Sequence, residues 1–205
     1  MSISIREIEA FLAVQPDAIV AELTAVRGSS PRAAGTFMLI TAHNIIGTIG
    51  GGALEYMVID RARQVLRNGE HQDDLDIPLG PEIGQCCGGR VDVALRRATP
   101  ELLDTLTSRL TAEEASLPHV FLFGSGHVGH ALARALSPLP AHVHVVDTRP
   151  DELVDLPDNV EAHALPMPEA VVRSAPEGSA YVILTHDHAL DFLIGAERTL
   201  SLIHI

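Results

Sequence analysis

The amino-acid sequence predicts an α/β protein with two domains. We expect a mixed α+β domain over residues 1–112, followed by a Rossmann-like parallel sheet over residues 119–205. Apolar residues make up 46% of the 205 residues, which is enough for a buried core in each half. After residue 119, apolar runs alternate with helical segments, a pattern typical of a parallel sheet. The polar segment 111–118 is predicted to link the two halves.

The predicted elements follow from hydrophobic periodicity. Helices are expected where apolar residues recur every three or four positions, at 5–12, 54–65, 101–110, 128–136, 169–174 and from 189 onward. Ser4 is placed to cap the first of them. Strands are expected from short apolar runs at 19–26, 36–40, 45–49, 91–95, 120–123, 142–147, 160–164 and 181–184. The second and third of these strands should form a hairpin.

The charge of the chain excludes several classes of partner. Fourteen Lys and Arg residues against 27 Asp and Glu residues leave a formal charge of −13. Such a field repels nucleic acid and anionic membrane surfaces, because phosphate binding draws on clustered basic side chains. No stretch approaches the roughly 20 apolar residues of a membrane span. The two cysteines are adjacent, which excludes a disulfide framework. We therefore expect a cytoplasmic protein without nucleic-acid or membrane partners.

A glycine-rich turn opens the second half. Its sequence GSGHVG, residues 124–129, fits G-x-G-x-x-G between a predicted strand and a helix. Gly124 would permit the tight turn, Gly126 the approach of the backbone to a phosphate, and Gly129 close helix packing. Asp147, at the end of the next strand, is placed to accept hydrogen bonds from a ribose. The alternative is a turn that only packs helix against sheet.

Histidines are predicted to line the same crevice. The segment THDH follows the last predicted strand, whose carboxyl end should lie beside the glycine turn. His127 adds an imidazole at the mouth of the site. His186 and His188 could ligate a metal such as zinc, although a third ligand is not apparent from the sequence. In the alternative interpretation, Asp187 or Thr185 only caps the following helix.

Three glycine-rich segments distinguish the first half. They are GSSPRAAG at 28–35, GTIGGGALE at 47–55 and the loop containing GQCCGGR at 84–90. Glycine at this density suits a backbone that must wrap closely around a ligand. Arg32 and Arg90 are candidates for gripping an anionic ligand in this acidic chain. The alternative for Arg32 is an ion pair with a surface carboxylate.

Glu55 and the adjacent cysteines each allow a structural and a chemical interpretation. Glu55 lies in the first turn of a helix, where a carboxylate favours the dipole and can act as a cap. Cys86 and Cys87, preceded by Gln85, could as free thiols ligate a soft metal or receive a sulfur atom. Burial as small apolar side chains is the alternative for both cysteines.

Taken together, these motifs resemble the XdhC/CoxI family, the xanthine dehydrogenase accessory proteins. The matching stretches are GSSPRAAGTFML, GTIGGGALE, LGPEIGQCCGG, FGSGHVGHALARAL, VVDTRPDEL and THDHALD, in the family's order. The resemblance implies an XdhC/CoxI domain followed by a Rossmann domain. The family normally continues past Asp191 into a further strand, so the apolar end Ser201–Ile205 is expected to mark a truncated C-terminus.

The resemblance implies an accessory protein rather than an enzyme. The implied function is that of a chaperone that binds molybdenum cofactor (molybdopterin), protects it during sulfuration and delivers it to a xanthine dehydrogenase-type molybdenum hydroxylase. Implied partners are the apo-form of that hydroxylase and a cysteine desulfurase, and a homodimer is a further expected assembly. An alternative function is an NAD(P)-dependent oxidoreductase whose Rossmann half binds NAD(P) or another nucleotide. A redox sensor that reads the cysteine pair is a third.

The sequence and the resemblance together give a set of candidate binding residues and no catalytic residue. Cys86 and Cys87 are the predicted contacts to molybdenum or sulfur. The predicted cofactor-binding residues are Ser29, Ser30, Arg32, Gly50, Gly51, Gly52, Glu55, Gln85, Cys86, Cys87, Gly124, Gly126, His127, Gly129, Asp147, His186 and His188.

Overall fold

The chain forms two compact units, Met1–Ala112 and Glu113–Ile205. The computed structural model describes residues 3–84 and 88–197. The C-terminal end, which the sequence predicts to be truncated, lies outside the described residues. Every helix of the described ranges is too short or too polar to cross a membrane.

The first unit is built on a five-stranded antiparallel sheet. The strands lie side by side in the order β3-β2-β1-β5-β4. The mixed α+β architecture and the hairpin of β2 and β3 are therefore as predicted. The elements are α1 (Ile5–Val14), β1 (Ile19–Arg27), β2 (Phe37–Ile40), β3 (Ile45–Gly47), α2 (Gly52–Asn68), β4 (Gln72–Pro78), β5 (Arg90–Arg97) and α3 (Pro100–Ala115).

Alternation along the strands divides the core of this unit into two layers. Because successive strand residues point to opposite faces, Ile19 packs in one cluster with Leu54 and Val58 of α2. The next residue, Val20, packs in another cluster with Leu106 of α3. The sheet is thus covered by α2 on one face and by α1 and α3 on the other.

Local hydrogen bonds explain where α1 begins. The N–H of Glu7 donates to Ser4 Oγ at 3.3 Å, and the N–H of Ser4 donates to the Glu7 carboxylate at 2.8 Å. This reciprocal capping box satisfies two donors that a helix start leaves open. The predicted capping role of Ser4 is confirmed.

The sequence pattern does not predict β4, which is rich in aspartate. Aspartate is depleted in strands, but β4 lies at the edge of the sheet, where its side chains reach arginines. Asp73 pairs with Arg61 at 2.5 Å and Asp74 pairs with Arg96 at 2.7 Å. Ion pairing at an exposed edge therefore accommodates a strand that has few apolar residues.

The segment predicted as a linker is largely helical. Residues 111–115 continue α3, which ends at Ala115. Alanine and glutamate are good helix formers, and the first helix-breaking residue after them is Pro118. The prediction of an irregular connection over 111–118 was wrong for its first five residues.

The second unit is a four-stranded parallel sheet with helices on both faces. The strand order is β8-β7-β6-β9, and all three neighbouring pairs are parallel. Ala133 of α4 packs on one face, and Val172 of α5 with Ile194 of α6 packs on the other. The predicted Rossmann-like sheet is confirmed. The elements are β6 (His119–Phe123), α4 (His127–Leu136), β7 (His142–Asp147), β8 (Val160–Ala164), α5 (Glu169–Ser174), β9 (Ala180–Ile183) and α6 (His188–Ala196).

Candidate functional site

The carboxyl ends of β6, β7 and β9 form a small hollow in the second unit, here called the strand-end crevice. Its cavity volume is about 10 Å³, which is roughly the space of one water molecule and far below the roughly 300–1,000 Å³ of ordinary small-molecule sites. Gly124, Asp147 and His186 lie together there, as the parallel topology predicts. The polar and glycine residues that line the crevice are Gly124, Asp147, Thr148, Thr185 and His186.

The glycine turn at the start of α4 is a tight backbone packing device. Gly124 has φ +109°, and its N–H donates to Val146 O at 2.8 Å. A Cβ on Gly129 would lie 2.1 Å from the carbonyl oxygen of Gly124, so only glycine lets the helix approach the turn. Gly126 precedes α4 without a side-chain cap, and a Cβ there would have no atom of the described residues within 4 Å. Gly126 thus leaves the helix start open.

Asp147 is already engaged by the chain itself. Its carboxylate accepts four hydrogen bonds: one from the Ser125 N–H at 2.7 Å, one from the Arg149 N–H, and two from the Arg149 guanidinium. A carboxylate offers about four acceptor positions. A ribose hydroxyl at Asp147 would therefore have to displace Arg149 or share an occupied oxygen.

The pKa of Asp147 is consistent with these hydrogen bonds to its ionised carboxylate. Asp147 is only 5% exposed. Burial opposes its ionisation, but the hydrogen bonds from Arg149 and Ser125 outweigh burial and lower the pKa of Asp147 from 3.8 to about 2. The anion is thus fixed in place and holds the glycine turn to the end of β7.

Sequence reasoning missed Ser125 and Arg149. Ser125 is fully buried, and its hydroxyl donates to Glu152 O at 2.6 Å. Arg149 also contacts the Glu152 carboxylate at 3.2 Å. One sequence signal could have identified Arg149. It lies two residues after Asp147, close enough for its guanidinium to pair with the carboxylate at the end of β7.

The histidines predicted for the crevice occupy different environments. His186 lines the crevice, whereas His127 is exposed on the first turn of α4. His188 has a 95% exposed side chain that lies 3.5 Å from Asp191. Asp187 caps α6, because its Oδ1 accepts the N–H of Ala189 at 2.9 Å and the N–H of Leu190 at 3.4 Å.

The capping interpretation of Asp187 is therefore confirmed. Among the described residues, His186 and His188 do not belong to any group of three metal-ligating side chains. A zinc site formed by this histidine pair has no support in the arrangement around it.

In the first unit, the three glycine-rich segments meet. We call residues 28–32, 47–52 and 88–89 the glycine-loop junction. A Cβ on Gly89 would lie 2.0 Å from Ser29 O, and one on Gly50 would lie 2.6 Å from Pro31 Cγ. Gly89 thus packs against the backbone of the first segment, and Gly50 packs against the ring of Pro31. A side chain at either glycine would not fit without a shift of its neighbour.

Glu55 anchors one segment of the glycine-loop junction. Its Oε1 accepts the Thr48 hydroxyl, the Ile49 N–H at 3.0 Å and the Gly51 N–H at 2.9 Å. The capping interpretation of Glu55 is confirmed. Two backbone donors that a ligand might have used are therefore already bonded to an internal carboxylate.

The two arginines predicted to bind an anion differ in their surroundings. Arg90 pairs with Asp76 at 2.5 Å, beside Arg27, which bonds the same carboxylate at 3.1 Å. Arg32 is half-buried, its N–H donates to Ser30 Oγ at 3.4 Å, and within residues 3–84 and 88–197 its guanidinium pairs with no carboxylate. The predicted ion pair of Arg32 with a surface carboxylate is therefore not present in the described part of the chain.

The cysteine loop is only partly described. Gln85, Cys86 and Cys87 lie outside the described residues. Gly88 and Gly89, which directly follow them, are described: the N–H of Gly88 donates to Leu79 O at 2.8 Å. The predicted contacts of Cys86 and Cys87 with molybdenum or sulfur therefore stay predictions.

Comparison with known protein families assigns each half separately. A family model described as the XdhC and CoxI family matches residues 12–77. A second model, described as the XdhC Rossmann domain, matches residues 120–200. The two matches fall in the first and second compact units.

Individual relatives extend these matches. The uncharacterized protein YqeB of Escherichia coli (strain K12) is 26% identical over 131 residues, which is 62% of this chain but only 21% of that protein. The crystal structure of a protein from Bacillus halodurans described as a xanthine dehydrogenase superposes with a TM-score of 0.77. The two sequences are 18% identical, and the superposed region covers 95% of this chain and 78% of the Bacillus halodurans chain. At that identity, the likeness shows a common fold.

Proposed function

The chain belongs to the XdhC/CoxI family, and from this premise we propose that it binds molybdenum cofactor and delivers it to a xanthine dehydrogenase-type molybdenum hydroxylase. Membership in the family indicates an accessory role for xanthine dehydrogenase. The finer proposal is a chaperone that shields the cofactor during sulfuration. One observation carries it, namely the meeting of three glycine-rich segments, the first of which contains Arg32, an arginine without a carboxylate partner among the described residues.

The glycine-loop junction fits an anionic pterin ligand. The formal charge of −13 repels anions over the surface as a whole, so a binding site needs a local cation. Arg32 supplies one, since a guanidinium matches the geometry of a phosphate and forms charge-assisted hydrogen bonds. Gly51 has φ +78°, a conformation that favours glycine, and among the described residues no atom lies within 4 Å of its Cβ position.

Each part of the proposed site has a distinct task. The bound cofactor would supply the molybdenum centre that the client enzyme needs. Arg32 and the backbone of the glycine-loop junction hold the anion and shield it from water. Cys86 and Cys87 precede Gly88 and Gly89 directly in the sequence, and we assign them the contact with molybdenum or with incoming sulfur. The sulfur donor is a cysteine desulfurase, and the acceptor of the finished cofactor is the apo-hydroxylase.

The Rossmann half is given a supporting task in this proposal. The start of α4 at Gly126, which has no side-chain cap, suits a phosphate. His127 follows Gly126 directly in the sequence, and His186 lines the strand-end crevice. An NAD(P)-dependent oxidoreductase is less well supported, because the acceptor positions of Asp147 are filled by Ser125 and Arg149.

The test is direct binding of the cofactor. The purified chain is mixed anaerobically with molybdenum cofactor and passed through gel filtration, and molybdenum in the protein fraction is measured by mass spectrometry. We expect retention of up to one cofactor per chain. Arg32→Ala should weaken binding by about 1.5–3 kcal/mol, or roughly 10- to 150-fold, if Arg32 makes a charge-assisted contact.

Arg67→Ala is the matched control. Arg67 is exposed in the last turn of α2, about 22 Å along the helix from Gly52, so the variant removes the same charge from the same unit without touching the junction. Absence of retained molybdenum in the wild-type chain would contradict the proposal. Equal loss in the two variants would reduce the role of Arg32 to a general effect of charge.

A further inference from the structure

Three side chains on neighbouring strands of the second unit bring metal-ligating atoms together. His144 lies on β7, and Glu161 and His163 lie on β8, with His144 directly opposite Glu161 in the parallel register. His144 Nδ1 lies 3.1 Å from His163 Nε2 and 3.3 Å from Glu161 Oε2. The remaining separation, from His163 Nε2 to Glu161 Oε2, is 3.7 Å.

These three separations fit the face of a coordination tetrahedron. Zinc binds nitrogen and oxygen ligands at about 2.0–2.2 Å, which places tetrahedral ligand atoms about 3.4 Å apart. We propose that His144, Glu161 and His163 form a binding site for a divalent transition-metal ion of the zinc type. The site is independent of the proposed cofactor function, since none of the three residues lines the strand-end crevice or belongs to the glycine-loop junction.

A fourth residue orients the central ligand. His119 Nδ1 lies 2.9 Å from His144 Nε2, so His144 can donate its Nε2–H to His119 while Nδ1 keeps its lone pair for a metal. Metal-binding histidines usually have such a partner on the second ring nitrogen. Phe121 stacks on the His144 ring with centroids 4.3 Å apart and fixes its plane.

The chemistry of the ligands selects the class of ion. Two imidazoles and one carboxylate suit zinc and its neighbours in the first transition row, whereas magnesium and calcium prefer oxygen ligands alone. His144 is buried, with 6% of its surface exposed, so a bound ion would be partly shielded from water on that side. The Glu161 side chain is 61% exposed, so a water molecule can reach the fourth position.

The pattern was present in the sequence but is weak there. His142 and His144 alternate on β7, as do Glu161 and His163 on β8, so each pair points to one face of its strand. Nothing in the sequence shows that β7 and β8 are neighbours with this register. Only the pairing of His144 with Glu161 turns two short alternations into one group.

Zinc binding to the full chain tests the proposal. Zn²⁺ is titrated in competition with a chromophoric chelator, in the wild-type background and with Cys86→Ser and Cys87→Ser, so that thiolate binding is separated from the histidine site. We expect one Zn²⁺ per chain that survives loss of the cysteines. His163→Ala and Glu161→Gln should each lower its affinity by about 100-fold or more, since loss of an outer partner alone typically costs roughly 10–100-fold.

Two further variants distinguish ligation from general effects. His119→Phe keeps an aromatic ring but removes the acceptor for His144, and we expect a loss of roughly 10–100-fold. His188→Ala removes a 95% exposed histidine and should leave the affinity unchanged. Glu161→Gln changes an exposed side chain, so the fold should persist, and circular dichroism checks it.

Two results would overturn the proposal. One is a cysteine-free chain that binds no Zn²⁺, and the other is a chain whose Zn²⁺ affinity is the same in His163→Ala, Glu161→Gln and His188→Ala. Cobalt(II) gives a second readout, because a tetrahedral site produces intense visible absorption bands. Those bands should appear in the wild-type chain and disappear in Glu161→Gln.

Discussion

The two units each contain glycine-rich turns, and they differ in what surrounds the arginine nearest to them. In the second unit, Arg149 is tied to Asp147 by its backbone N–H and guanidinium, and Asp147 in turn holds Ser125. In the first unit, an internal carboxylate, Glu55, also binds the glycine backbone, but Arg32 has no carboxylate partner in the described ranges. Glycine spacing alone therefore does not distinguish a ligand site from a packing device.

The difference suggests which unit has cationic charge available for an anion. A guanidinium that already bonds a buried carboxylate is neutralised and fixed, so it contributes little to attraction of a further anion. A half-buried guanidinium without such a partner keeps its full charge and donors. We therefore expect Arg32, rather than Arg149, to decide anion affinity.

The largest expected effect concerns the close packing that both regions share. Gly89→Ala and Gly129→Ala each place a Cβ against backbone, 2.0 Å from Ser29 O and 2.1 Å from Gly124 O respectively. Each should destabilise its own unit by about 3 kcal/mol, the upper part of the usual range for overpacking. Urea unfolding measures the change. Gly126→Ser is the control, because no atom in the described part of the chain lies within 4 Å of the added Cβ. Comparable destabilisation in that variant would contradict the assignment.

The next effect isolates the internal carboxylate of the second unit. The pKa of Asp147 is lowered to about 2 from 3.8, so its ionised form adds about 2 kcal/mol of stability at neutral pH. Because the folded pKa is the lower one, this contribution is complete above about pH 4 and is lost as pH falls toward 2. Asp147→Asn should therefore lower the free energy of unfolding by about 2 kcal/mol at neutral pH.

The pH dependence supplies the check on Asp147. Thermal unfolding at several pH values should show the deficit of Asp147→Asn shrinking as the solution is acidified. Asp151→Asn, an exposed position in the same loop, should show no such trend. A deficit that stays constant with pH would mean that charge is not the cause.

A smaller effect is expected for the internal carboxylate of the first unit. Glu55→Gln keeps one carbonyl oxygen for the Ile49 and Gly51 N–H groups but loses the negative charge that strengthens these bonds. We expect a loss of about 1 kcal/mol in unfolding free energy. Glu9→Gln, exposed on α1, is the matched control. Equal stability of the two variants would show that Glu55 does not anchor its loop.

The smallest expected effect is the change in cofactor affinity caused by replacing Arg149, compared with that caused by replacing Arg32. Arg149→Ala should change cofactor affinity far less than Arg32→Ala, because the Arg149 guanidinium is already bonded to Asp147 and Glu152. Binding is measured below the unfolding temperature of the variant. A larger loss for Arg149→Ala than for Arg32→Ala would transfer the anion site to the second unit.

Much of the fold could be predicted because local and long-range signals agree. Ser4 predicts the start of α1, and the apolar stripe containing Leu54 and Val58 predicts the buried face of α2. The edge strand β4 could not be predicted, since its aspartates are stabilised by arginines that only the folded sheet brings near. The extension of α3 to Ala115 was obscured because a polar sequence suits both a linker and an exposed helix.

The candidate sites were less predictable than the fold. Parallel topology was sufficient to place Gly124, Asp147 and His186 at one sheet edge. Parallel topology could not show that the Asp147 carboxylate is already hydrogen-bonded to Arg149, because this contact depends on the conformation of the loop that follows β7. Likewise, Gly89 and Ser29 are far apart in the sequence, and only the folded sheet of the first unit brings them into contact.

Native mass spectrometry of the chain purified from a molybdate-fed host tests most directly whether the glycine-loop junction binds molybdenum cofactor. We expect the wild-type protein to carry an added mass equal to molybdopterin with molybdenum, and Arg32→Ala to lose most of it while Arg67→Ala keeps it. A bound dinucleotide in place of the pterin, or equal molybdenum occupancy in wild type and Arg32→Ala, would contradict the proposed site.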